Sequence, residues 1–102
     1  METRVVTAEI EAEDTFTDPL RSADYHKGVR YSHVNVTIWG TWDASVTLQK
    51  SFDGGTTWHD VQVWVANEMT HSFSDTELGM LYRVGVKTGE YVSGKVMVRM
   101  SK

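Results

Sequence analysis

The chain has no cysteine, one proline in 102 residues, and no apolar run near the ~18 residues of a membrane-spanning helix. Without thiols there are no disulfides, no thiolate nucleophile and no cysteine metal site. The cellular compartment stays open, because many extracellular β-proteins also lack cysteine. Positive charge is sparse as well: ten Lys and Arg are scattered among fourteen Asp and Glu, for a formal charge of -4. Phosphate binding needs a clustered basic face, so nucleic acid is not an expected partner. The segment Met1-Glu-Thr-Arg-Val-Val-Thr-Ala-Glu-Ile10 lacks the basic stretch and apolar run of a secretory signal, so synthesis and retention in the cytoplasm are expected unless a larger particle carries the chain. No Pro/Ser/Thr-rich linker flanks the sequence, which favours a free-standing protein over an excised module.

What is present is alternation. Apolar residues recur at every second position, and no segment holds a 3.6-residue period for more than about two turns, so the chain reads as all-β. Val6, Ala8 and Ile10 alternate with Thr7 and Glu9, and a short piece surrounds Thr15 to Thr17. Residues 18–28 form a long connection with room for a helical turn. The longest strand runs from Val29 to Gly40, with Val34, Val36 and Ile38 toward the core and Tyr31, His33, Asn35, Thr37 and Trp39 outward. A tight corner is expected at Trp42-Asp43. Val46, Leu48 and Lys50 form the next core-facing set, followed by Val61, Val63 and Val65, with Trp64 outward. Met80, Tyr82, Val84 and Val86 line a further face, and Val96, Val98 and Met100 close the last strand. The count is about seven or eight strands spaced roughly 8 to 12 residues apart. We therefore expect a single domain over residues 1–102, an antiparallel two-sheet β-sandwich of jelly-roll or immunoglobulin-like type, with residues 1–30 as an N-terminal arm and long connection.

Between two of these runs lies Ser51-Phe-Asp-Gly-Gly-Thr-Thr-Trp58. Asp53 can accept bonds from amides of its own turn, Gly54 and Gly55 can take positive φ, and Trp58 can cover the hairpin. The segment resembles the Asp-box of sialidase-like propellers, where several copies decorate successive blades. One copy cannot build a propeller of roughly four or more blades. Ser51, Asp53, Gly55, Thr57 and Trp58 are therefore read as a structural hairpin without catalytic duty.

A longer likeness joins Trp39-Gly-Thr-Trp42, Val46 to Trp58, Leu78-Gly-Met-Leu-Tyr-Arg-Val84 and Tyr91-Val-Ser-Gly-Lys-Val-Met-Val98. Over about two thirds of the chain this order is similar to small β-sandwich virion proteins of tailed bacteriophages. The resemblance implies a capsid decoration, head-closure, tail or fibre component that forms symmetric oligomers, often trimers.

Enzyme chemistry finds little in the residues. His26, His33, His59 and His71 lie in separate elements without metal-ligand spacing, and no Gly-x-Ser-x-Gly elbow or phosphate cradle occurs. Asp43, Asp53 and Asp60 could in principle hold calcium, but they do not form an alternating acidic ladder, so turn capping is favoured. Glu9, Glu11 and Glu13 read as a solvated edge that discourages strand pairing. No catalytic residue, metal or cofactor is expected. Alternation leaves Tyr31, Trp39 and Trp64 facing outward, near Arg83, Lys87 and Arg99, and these six residues form the expected interface. The expected function is a non-enzymatic virion protein, first a capsid decoration (cement) homotrimer bound to major capsid protein. Head-closure, tail and fibre roles, or a module binding host glycans, are the alternatives.

Overall fold

The computed structural model describes residues 4–21, 24–26, 29–31, 33–74, 77 and 79–102, with backbone alone for 24–26 and 29–31. Its strands are β1 (Val5–Ile10), β2 (Thr15–Phe16), β3 (Leu20–Arg21), β4 (Asp24–His26), β5 (Val29–Tyr31), β6 (His33–Ala44), β7 (Val46–Ser51), β8 (His59–Trp64), β9 (Glu68–Ser74), β10 (Leu81–Val86) and β11 (Tyr91–Ser101). One sheet has the order β1-β11-β6-β9. The other has β2-β10-β7-β8, with β3 beside β2 on the same flank of β10, and β4 and β5 make a separate hairpin. Every pairing is antiparallel, and the two large sheets pack face to face as a β-sandwich.

The core follows directly from the period of two. Val34, Val36 and Ile38 of β6 and Val96, Val98 and Met100 of β11 are fully buried from one sheet, while Val46, Leu48, Val84 and Val86 are fully buried from the other. Each such side chain gains about 1.5–3 kcal/mol from leaving water. β6 and β11 align from Tyr91↔Ala44 to Ser101↔Asn35, the longest ladder in the molecule.

Four local expectations are corrected. The chain does not turn at Trp42-Asp43: β6 stays paired through Asp43↔Ser93, and the corner falls at Ser45, the single residue linking β6 in one sheet to β7 in the other. The Ser45 amide donates to the Glu90 carbonyl at 2.9 Å and fixes that corner. The 18–28 connection contains β3 and β4 and, among its described residues, no helical turn. Leu20 of β3 is 1% exposed and belongs to the core. Between β2 and β3, Pro19 offers no amide to the ladder. Thr17 maintains the contact with β10 there, its amide donating to the Val84 carbonyl at 2.9 Å and its hydroxyl accepting from the Val84 amide at 3.2 Å.

The largest correction concerns β8. Leu48 pairs with Gln62 but Gln49 pairs with Asp60, so Val61 is an extra residue in the ladder, a β-bulge. Beyond it, Trp64 pairs with the buried Val46 and shares its inward face, whereas Val63 pairs with Thr47 on the outer face. Trp64 is thus only 9% exposed, while Val61, Val63 and Val65 stand 49%, 48% and 75% exposed. The indole removes more apolar area than one valine, so the inward site goes to the ring. Trp64 meets His71 edge-on with centroids 5.2 Å apart, and Phe73 continues the row to Tyr82 at 5.0 Å.

Lys50, expected in the core-facing set with Val46 and Leu48, is only half-buried. Its ammonium lies 5.9 Å from the Tyr82 ring centre and 3.4 Å from the Glu77 carboxylate.

Both faces of β7 are buried, because Thr47, Gln49 and Ser51 on its outer side are also covered. The Thr47 hydroxyl is the one described buried side-chain polar atom without a partner. Removing an unsatisfied buried hydroxyl without changing shape recovers its desolvation cost. Thr47→Val is therefore expected to raise unfolding free energy by about 1 kcal/mol. Urea denaturation measures this; a loss of stability would mean that the hydroxyl is bonded.

Candidate functional site

The outer face of the β2-β10-β7-β8 sheet carries a row of polar side chains across three strands. Asp60 of β8, Gln49 of β7 and Arg83 of β10 are register neighbours. Gln49 Nε2 donates to Asp60 Oδ1 at 2.9 Å, and its Oε1 accepts from Arg83 Nε at 2.9 Å. Lys87 Nζ donates to Asp60 Oδ2 at 2.6 Å. The bonds from Gln49 and then Lys87 lower the Asp60 pKa, and the bond to Asp60 raises that of Lys87.

The Arg83 guanidinium lies between two rings, 4.0 Å from the Phe16 centroid and 4.4 Å from that of Trp58. Desolvation there lowers its pKa, opposed by the charge of Asp14. Phe16 reaches Arg83 because β2 runs close against Gly85: a Cβ at that position would come within 2.1 Å of the Thr15 carbonyl oxygen. Any larger residue at 85 would push β2, and Phe16 with it, off the sheet. Beside this stack is a groove of about 380 Å³ lined by Asp14, Phe16, Gln49, Arg83, Lys87, Thr88 and Glu90.

The 51–58 hairpin closes as its residue types require. Ser51 is 1% exposed; its Oγ accepts from the Gly55 amide at 2.9 Å and donates to Asp53 Oδ1 at 2.8 Å. Asp53 Oδ1 also accepts from the Thr57 amide at 2.9 Å, and Oδ2 accepts from the Thr57 hydroxyl at 2.6 Å. Gly54 and Gly55 take φ of 73° and 98°, which L side chains rarely adopt. A Cβ on Gly55 would meet the Trp58 ring at 3.6 Å, so the indole lies on the turn with one part and on Arg83 with another. The Thr57 hydroxyl, the Thr57 amide and the Ser51 hydroxyl together hold the Asp53 carboxyl far below its ordinary range.

The six expected interface residues do not form one surface. Trp39, 37% exposed, and Arg99 share the outer face of the β1-β11-β6-β9 sheet, where Trp39 pairs with Met97 and Arg99 with Thr37. Arg83 and Lys87 occupy the outer face of the opposite sheet and are engaged within it. Trp64 is in the core, a correction that follows from the bulge at Val61. Tyr31 is in β5, and its side chain is outside the described residues. Residues that the alternation rule missed are Phe16, Gln49 and Asp60; their signal was only a polar or aromatic residue on the face opposite the valines.

Among the described residues no group of three His, Cys, Asp or Glu could hold a metal ion, and no helix is long and apolar enough to cross a membrane. Asp53 and Asp60 bond to separate partners. Lys95 lies 3.8 Å from Glu9 and 3.3 Å from Glu11, while Glu13 accepts from the Gly89 amide at 2.7 Å. Compared with protein-family models, curated proteins and solved structures, the chain matches none.

Two variants probe this arrangement. Trp58 is half-buried, so Trp58→Ala is expected to cost about 2 kcal/mol in denaturant unfolding, below the roughly 3–5 kcal/mol of a fully buried indole. Asp53 has a depressed folded pKa, so its contribution is complete above the ordinary value of 3.8 and is lost as pH falls through and below it. Asp53→Asn should therefore melt below the wild type at neutral pH, with the gap shrinking toward about pH 2. A gap independent of pH would show that the ionised carboxylate is not what closes the turn. Asp60 shifts in the same direction, so some acid sensitivity remains in the variant.

Proposed function

We propose that the chain is a non-enzymatic structural component of a tailed-bacteriophage virion, first a capsid decoration protein, that assembles with copies of itself through the β8 edge. The observation that carries this reading is the exposure of Val61 and Val63 of β8, and of Val65 just beyond it, at a sheet edge with no partner strand among the described residues. Unpaired edges that present apolar residues template association with another chain, and proteins that stay apart blunt them with charge. The opposite flank is blunted in that way: Glu9 and Glu11 stand exposed at β1 around Lys95. At the β8 flank the neighbouring edge strand β9 adds Met69, 70% exposed. A second copy presents the same valine-bearing edge, whose one carboxylate, Asp60, is held by Lys87 and Gln49, so pairing of edges buries valines on both sides at once, the self-complementarity that symmetric oligomers need.

The virion class itself is supported by the order of the Trp39–Trp42, Val46–Trp58 and Tyr91–Val98 segments in the sequence. Trp39 and Arg99, on the far sheet, form a second outward surface suited to a capsid lattice. Head-closure, tail and fibre positions would use the same edge.

Light scattering over a dilution series tests the reading. The wild type is expected to hold a trimer or larger ring on dilution, and Val63→Lys to run as a monomer with its strand circular dichroism intact. A wild-type chain that is monomeric throughout would remove self-assembly, and an oligomer unaffected by Val63→Lys would move the interface away from β8.

A further inference from the structure

The groove beside Arg83 is separate in chemistry from the valine edge, and no role assigned so far uses it. Its volume of about 380 Å³ falls within the roughly 300–1,000 Å³ of small-molecule sites. Its walls are tied together. Glu13 accepts the Gly89 amide at 2.7 Å, binding the segment before β2 to the turn after β10, and the Glu90 amide donates to the Lys87 carbonyl at 3.1 Å within that turn.

The lining presents both donors and acceptors that the protein leaves unused. Arg83 spends only Nε, on Gln49, and its two terminal nitrogens have no acceptor among the described residues. The Phe16 and Trp58 rings hold the guanidinium plane in place, so these donors are oriented before any ligand arrives. The carboxylates of Asp14 and Glu90, whose charges act on Arg83 and Lys87, and the hydroxyl of Thr88 make no side-chain hydrogen bond with the described residues. Asp14 has φ of 53°, the one described non-glycine residue in the left-handed region, so its carboxylate sits on a backbone held against its usual preference.

Charge decides the ligand class. Asp14 and Glu90 balance Arg83 and Lys87 in the lining, and Lys87 is already neutralised by Asp60. With Asp60 counted, three carboxylates surround two cations, so a phosphate or carboxylate would add to an existing surplus of negative charge. A metal ion would face the guanidinium, and no three-ligand group exists among the described residues. A neutral ligand whose groups both donate and accept satisfies every member of the set. Vicinal hydroxyls do this with planar carboxylate and guanidinium groups, and the Phe16 ring offers an apolar surface to ring C–H groups.

We propose that this groove binds a neutral sugar residue, with Arg83 donating to, and Asp14 and Glu90 accepting from, its hydroxyls. Such a site would let a surface-mounted protein hold glycans without using its assembly edge.

The test is a two-dimensional amide NMR titration of the full chain with methyl glycosides of glucose, galactose, mannose and N-acetylglucosamine, with sodium acetate and sodium phosphate as anion probes. At least one glycoside is expected to give saturable shifts at Asp14, Thr88, Gly89 and Glu90. Loss of a bond to a charged group is worth about tenfold in affinity, so Asp14→Gly and Glu90→Gln should each weaken binding about tenfold. Neither should lower the thermal midpoint appreciably, because neither carboxylate accepts a hydrogen bond from the described residues, their surface charge interactions with Arg83 and Lys87 are weak, and glycine suits the positive φ at 14. The proposal is overturned if no glycoside shifts these amides at its highest soluble concentration, if only acetate or phosphate does, or if both variants bind like the wild type.

Discussion

The structure rests on one constraint: two sheets must bury their valine-rich faces against each other while the chain turns from β6 of one into β7 of the other at a single residue. Ser45 makes that passage, held by the Glu90 carbonyl, so β6 ends in one sheet where β7 begins in the other. The faces then meet with Val34, Val36 and Ile38 opposite Val46, Leu48, Val84 and Val86, all fully buried. Shifting β6 by one residue would turn its core set to solvent, so the register of β6 with β11 is set by burial as much as by hydrogen bonds.

From that core outward, the second sheet builds a covered face. Gln49 sits at the centre of β7 with both ends of its amide used, one on Asp60 and one on Arg83, which links three strands by side chains as well as by backbone. Arg83 in turn is clamped by Phe16 from β2 and Trp58 from the hairpin. The hairpin motif is thereby more than a local turn: Ser51 and Asp53 close it, and closure places the indole where the guanidinium needs it. A buried polar network of this kind contributes when every member is satisfied, which holds for Gln49 and fails for the adjacent Thr47 hydroxyl.

The two flanks of the sandwich differ in how they treat unpaired strand edges. The β1 flank is dressed with glutamates around Lys95, and the β8–β9 flank shows valines and a methionine. That asymmetry would give the proposed assembly a direction. The groove lies on the face between these flanks, so the proposed glycan binding and the proposed edge pairing would not compete for one surface.

Alternation in the sequence was enough to determine that the chain is all-β, that Val34, Val36, Ile38, Val84, Val86, Val96, Val98 and Met100 form a core, and that residues 51–58 close a hairpin. These are properties of neighbours in the chain: a period of two, a glycine pair, an aspartate two residues from a serine. The tertiary structure alone decided the rest. Residues 61–65, at and just past the end of β8, read Val-x-Val-Trp-Val, which satisfies a period of two with either face inward, and the bulge opposite Leu48 and Gln49 put Trp64 inside and the valines out. Arg83 and Trp58 had no sequence relation to Phe16, and Asp14 and Glu90 none to each other. They meet because β2 pairs with β10 across the sheet, and contacts between residues that distant depend on packing that no local pattern encodes.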